Sequence, residues 1–93
     1  MNEIIMKVSD LTGVSVTDIL SRKRTQEICE ARQIFIYMSH RALDMSQTNI
    51  ALYLNRTRQN ISRQIIVFDE QLRIYKGLQN KVDDIEKKIF PDN

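Results

Sequence analysis

Ninety-three residues, 42% hydrophobic and 28% charged, suffice for one small domain with a core; they leave no room for a second and argue against wholesale disorder. Net charge is only +2 but unevenly placed: −2 over residues 1–21, +5 over residues 22–63 and −1 over residues 64–93, so the middle is the candidate surface for a phosphate backbone. With one cysteine, Cys29, neither an internal disulfide nor a cysteine-cluster metal site can form.

Two glycines, one proline and few alternating runs predict an all-α chain. The longest apolar run, residues 34–38, is too short to cross a bilayer, and no signal-peptide pattern is present, so a bacterial or viral cytoplasmic protein is expected.

In chain order, a first helix is expected over about residues 3–12, with Ile4, Ile5, Val8 and Leu11 apolar and Gly13 placed to end it. Ser15 precedes a short second helix and has Asp18 three residues later, a capping box with aspartate for glutamate. A basic link, Ser21-Arg22-Lys23-Arg24, leads to Thr25, which caps a third helix. Ile28, Ala31, Phe35, Met38 and Ala42 form one apolar stripe over four turns, marking that helix as the centre of the core.

Residues 46–66 have the layout of a DNA-reading helix-turn-helix. Ser46 caps a short helix with Ile50 and Leu54 on one face, and Ala51 is small enough to let a second helix cross closely. Asn55 tolerates a left-handed turn, and Thr57 caps the next helix, whose Ile61, Ile65 and Phe68 point inward. Gln59, Ser62 and Arg63 then fall outward, beside Arg58 in the first turn. Helix pairs with polar outer faces also occur in proteins that never touch DNA. The distinguishing feature is the rim: Arg56, Arg58 and Arg63 with no acid between Met45 and Phe68, where an ordinary solvated helix mixes its charges.

Beyond this unit Leu72, Tyr75, Leu78, Val82, Ile85 and Ile89 continue the three-or-four spacing as one long helix or two, with a bend or hairpin near Lys76-Gly77 where the pattern slips. Residues 1–75 form the helix-turn-helix domain in this reading, and residues 76–93 its C-terminal helical extension. The stripe of Leu78, Val82, Ile85 and Ile89 either packs on that domain or offers a face to a second copy or a helical partner.

No catalytic, metal or cofactor constellation is present. His40, the only histidine, lacks a nucleophile or ligand set and is expected in solvent, and Asp83, Asp84 and Glu86 alternate with Lys81, Lys87 and Lys88 as a charged face. Cys29 is expected to be a partly buried packing residue.

The basic link, the Ala31-Arg32-Gln33 of the third helix and the helix-turn-helix together resemble the C-terminal DNA-binding domain of the bacterial replication initiator DnaA, over most of residues 2–75. Gly13-Val14-Ser15-Val16-Thr17-Asp18-Ile19-Leu20-Ser21 is similar to that family's lead-in to its basic loop, and Ala31-Arg32-Gln33 with residues 34–38 to its Ala-Arg-Gln-x-Ala-Met-Tyr-Leu motif. The resemblance implies an all-α, Trp repressor-like domain that binds double-stranded DNA, with Arg24 in the minor groove and Arg32 on a backbone phosphate. Arg22 and Lys23 accompany Arg24 in the link; a solvated loop is the alternative for this run.

The family's turn, Gly-Gly-Arg-Asp-His-Thr-Thr-Val, differs here. The chain has Asn55-Arg56-Thr57-Arg58-Gln59-Asn60-Ile61, one residue shorter, with Arg56 keeping the arginine and Thr57, Arg58 and Gln59 standing where the family's base-reading Asp-His-Thr would be. An initiator-like scaffold with its own reading head is therefore expected. Gly13 and Gly77 cannot supply a G-x-x-x-x-G-K-[ST] phosphate loop, so the expectation is a stand-alone DNA-binding protein or a fragment of something larger, acting in replication or transcription control. The competing function is a protein-interaction adaptor working through the C-terminal amphipathic helix.

Overall fold

A computed structural model describes residues 2–91, and among them six α-helices and no strand are found. Helix α1, Asn2–Thr12, ends at Gly13, which takes φ 78° and donates its amide to the Ser9 carbonyl at 2.9 Å. That is the single-bond left-handed stop for which glycine is suited. Helix α2, Val16–Leu20, starts under Ser15, whose hydroxyl accepts from the Asp18 amide at 3.1 Å.

Thr25 caps helix α3, Gln26–Tyr37, by accepting from the Ile28 amide at 3.4 Å. Ile28, Ala31, Phe35 and Met38 are buried as the stripe predicts, but Ile34 and Ile36 are buried too, at 0% and 1% exposure. The helix is therefore enclosed on more than one side. It passes without a break into a π-helical turn, Met38–Ala42, in which the Leu43 amide reaches the Met38 carbonyl at 3.3 Å. The wider turn adds a residue and rotates the chain beyond it, so Ala42, expected in the core stripe, faces solvent. His40, expected in solvent, is half-buried with its Nδ1 3.1 Å from the Met45 carbonyl oxygen.

Helix α4, Gln47–Leu54, and helix α5, Arg58–Ile74, form the helix-turn-helix. Ile50, Ala51 and Leu54 of α4 meet Ile61, Ile65 and Phe68 of α5 in the common core. The chain then breaks for one residue at Tyr75 (φ −108°, ψ 99°) and returns as helix α6, Lys76–Ile89. Two helices are thus present, and the break falls just before the Lys76-Gly77 pair.

Helix α6 lies against α5 and α1. Val82, Ile85 and Ile89 are 1%, 4% and 3% exposed, and Leu78 is half-buried against the same core. The stripe offered in sequence to a second chain is taken up within this one. An ion pair from Lys81 to Glu30 joins α6 to α3, and the Lys7 ammonium of α1 donates to the Ile89 carbonyl at 3.4 Å. No helix among the described residues is long and apolar enough to cross a membrane.

Candidate nucleic-acid interface

The turn between α4 and α5 is fixed by the backbone before any side chain acts. Asn55 adopts φ 54° and ψ 50°, a left-handed conformation that a short polar residue tolerates. Its amide donates to Leu52 O at 3.3 Å, and that of Arg56 to Ala51 O at 2.9 Å, the paired bonds of a Schellman stop. Thr57 Oγ1 then accepts from the Asn60 amide at 3.1 Å and opens α5. One arginine thus separates a helix stop from a helix start.

From this start Arg58, Gln59 and Arg63 project as exposed side chains, with Ser62 half-buried among them. Asn60 and Gln64, one turn apart, take another side of the helix and bond to each other, Gln64 Nε2 to Asn60 Oδ1, at 2.6 Å. They line the boundary with the basic link.

The link itself runs without helix from Ser21 to the Thr25 cap, both of which are extended. Arg22 and Arg24 are both exposed, and the two share a groove of about 400 Å³ with Asn55, Arg56, Thr57 and Asn60. A neighbouring hollow of about 240 Å³ is lined by Arg24, Cys29, Arg32, Gln33, Arg56, Asn60 and Gln64. Residues far apart in sequence, the link and the start of α5, therefore form one basic surface. Lys23 is partly engaged, its ammonium 3.1 Å from Asp18 Oδ1 in an exposed ion pair.

Two of the expected contact residues are turned into the fold. Arg32 is 4% exposed, and its guanidinium donates to the carbonyls of Ile19 at 2.7 Å, Ser21 at 2.7 Å, and Asp18 and Lys23 at 3.1 Å. A side chain so committed organises the link from within the fold, whereas the resemblance implied a contact with a backbone phosphate. Arg56, half-buried, donates from Nη2 to the same Ser21 carbonyl at 3.0 Å, and its buried Nε has no partner. Burial first, then the charges of Arg32, Arg22 and Arg24, push the Arg56 guanidinium below the usual arginine pKa.

Asn55, Asn60, Gln33, Gln64 and Cys29 also line this surface although the sequence reading did not select them as site residues. Asn60 and Gln64 carry a signal that could have found them: two amides spaced i, i+4 beside the apolar stripe, able to pair along the helix. The others become visible only when the link is folded against the turn.

Among the described residues no group of three His, Cys, Asp or Glu side chains could hold a metal ion. The arrangement offers arginines and amides on two adjacent elements, the chemistry of backbone neutralisation and base-edge hydrogen bonding in duplex DNA. A family profile described as the bacterial DnaA protein helix-turn-helix matches residues 1–66 of the 93. The chain thus belongs to the DNA-binding helix-turn-helix family of bacterial DnaA proteins.

Proposed function

We propose that this is a sequence-specific, non-enzymatic binder of double-stranded DNA that works in the cytoplasm in replication initiation or transcription control. The observation carrying the proposal is the basic surface shared by Arg22 and Arg24 of the link and the α4–α5 turn, beside the exposed Arg58, Gln59 and Arg63. In this reading α5 enters the major groove. Arg58 matches the two acceptors of guanine and Gln59 the acceptor and donor of adenine, while Ser62 and Arg63 hold backbone or neighbouring bases. Arg24 enters the adjoining minor groove and senses its width. Arg22, Lys23 and Thr57 contribute the flanking polar rim.

Because the turn differs from the family's, the site read is this chain's own. Selection of duplexes from a random pool tests the reading directly: a common sequence should be enriched, and affinity for it should fall steeply with rising salt. Recovery of no common sequence, or affinity indifferent to salt, would remove sequence-specific binding. An adaptor working through the apolar stripe of α6 has less support, because that stripe is buried in the chain's own core.

A further inference from the structure

We infer that Arg56 is a positioning residue that sets the spacing between the minor-groove and major-groove parts of the DNA site by tying the reading head to the basic link. The inference rests on the DNA-reading function proposed above. Its starting point is the Ser21 carbonyl, on which two guanidiniums converge: Arg32 Nη2 at 2.7 Å and Arg56 Nη2 at 3.0 Å.

The two arginines reach the carbonyl from different elements of the fold. Arg32 belongs to α3 and ties down residues 18–23 through four carbonyls. Arg56 belongs to the turn, with its own amide fixed to Ala51 O at 2.9 Å and the α5 cap, Thr57, next in the chain. A hydrogen bond from such a rigid point carries the orientation of the turn directly to the link.

An arginine whose role was to meet a phosphate would gain by extending into solvent, where all five donors stay hydrated until DNA arrives. Arg56 instead lies half-buried among three other arginines, with Nε shut from solvent and unpaired. Leaving a buried donor unsatisfied opposes folding, and so does crowding like charges. The compensation visible in the structure is the bond to Ser21.

That bond lies between the two DNA-facing elements. Arg24 is three residues beyond Ser21, and Arg58 is two residues beyond Arg56, so the tie spans a short path from one to the other. With the path held, only DNA whose minor- and major-groove features lie one set distance apart satisfies both arginines together. Without it the link keeps its attachment to α3 but gains freedom relative to α5.

The test uses the full chain and the best duplex recovered from a random pool. Arg24→Ala and Arg58→Ala first map the two parts of the site; a base pair is then added or removed between them. The wild-type protein should reject the shifted duplexes by about tenfold or more, the scale of one mismatched base pair. Arg56→Gln and Arg56→Met, each checked for folding by circular dichroism, should narrow that ratio towards one while still binding random DNA. Either variant alone decides the matter if the other does not fold.

Variants that reject shifted duplexes as strongly as wild type would overturn the inference. So would an equal loss on matched, shifted and random DNA with a salt slope shallower by about one unit, which marks a phosphate contact. If the pool yields no common site, the DNA-reading function fails instead. That outcome is separate because it appears in the wild-type protein before any Arg56 variant is made.

Discussion

Arg32 uses its forked donors on the carbonyls of Asp18, Ile19, Ser21 and Lys23, which lie at the end of α2 and in the link beyond it. Replacing it with alanine takes the arginine from the Ile19 and Lys23 carbonyls, while that of Asp18 keeps the Ser21 amide and hydroxyl and that of Ser21 keeps Arg56; each acceptor left dry costs about 1–3 kcal/mol. Arg32→Ala should therefore lose at least about 2 kcal/mol in urea unfolding, even without DNA present. Undiminished stability with weakened DNA binding would return Arg32 to the phosphate role. Ser39 has the opposite sign: its hydroxyl is fully buried without a partner, so Ser39→Ala should leave stability unchanged or raise it by up to about 1 kcal/mol, read from the same unfolding curves. Arg58, exposed at the α5 start, should behave as neither. Arg58→Ala should cost about 1–3 kcal/mol on the best duplex and little on random DNA, with the preference relaxed at one position; equal loss on all sequences would make it a phosphate contact. Sequence alone distinguishes such arginines poorly. Arg22, Arg24, Arg32 and Arg56 are the same residue type in one basic stretch, and only the folded path of the link separates the exposed Arg22 and Arg24 from Arg32 and Arg56, which donate to its carbonyls.

Element boundaries were far more legible, because caps are local chemistry. Ser15, Thr25, Ser46 and Thr57 each accept the amide three residues on, and Gly13 and Asn55 each take the left-handed conformation read for a stop or turn. Thr57 matters most, since it begins α5, the helix proposed to enter the major groove. Thr57→Ala should cost about 0.5–2 kcal/mol of stability and let the first turn of α5 fray. Faster amide exchange at Asn60, whose hydrogen in the intact protein is held by Thr57 Oγ1, would register the loss. Where the expected stripes failed, the cause lay beyond local spacing. The π turn after Tyr37 inserts a residue that no periodicity count contains, which turns Ala42 outward and half-buries His40. The α5–α6 break was visible as a slip in spacing, yet its position at Tyr75 depends on how α6 meets α1 and α5.

At the scale of the whole chain, hydrophobic periodicity marked the face of α6 that is buried but could not name what buries it. Leu78, Val82, Ile85 and Ile89 present the same stripe to a second copy as to their own core; contact with the distant N-terminal helix α1 is what decides between them. We propose that residues 76–93 fold as part of one unit with residues 1–75. Deleting everything after Lys76 would remove Val82, Ile85 and Ile89 from the core and break both the Lys81–Glu30 pair and the Lys7 contact with the Ile89 carbonyl. The exposed ion pair contributes little, so the loss should come mainly from apolar surface: Ile85→Ala alone should cost about 2–5 kcal/mol, a large share of a small domain's stability. The full chain should sediment as a monomer, and the truncated one should unfold or melt at a markedly lower temperature. A full-length dimer that truncation converts into stable folded monomers, each still binding one half-site, would show instead that the stripe joins two chains.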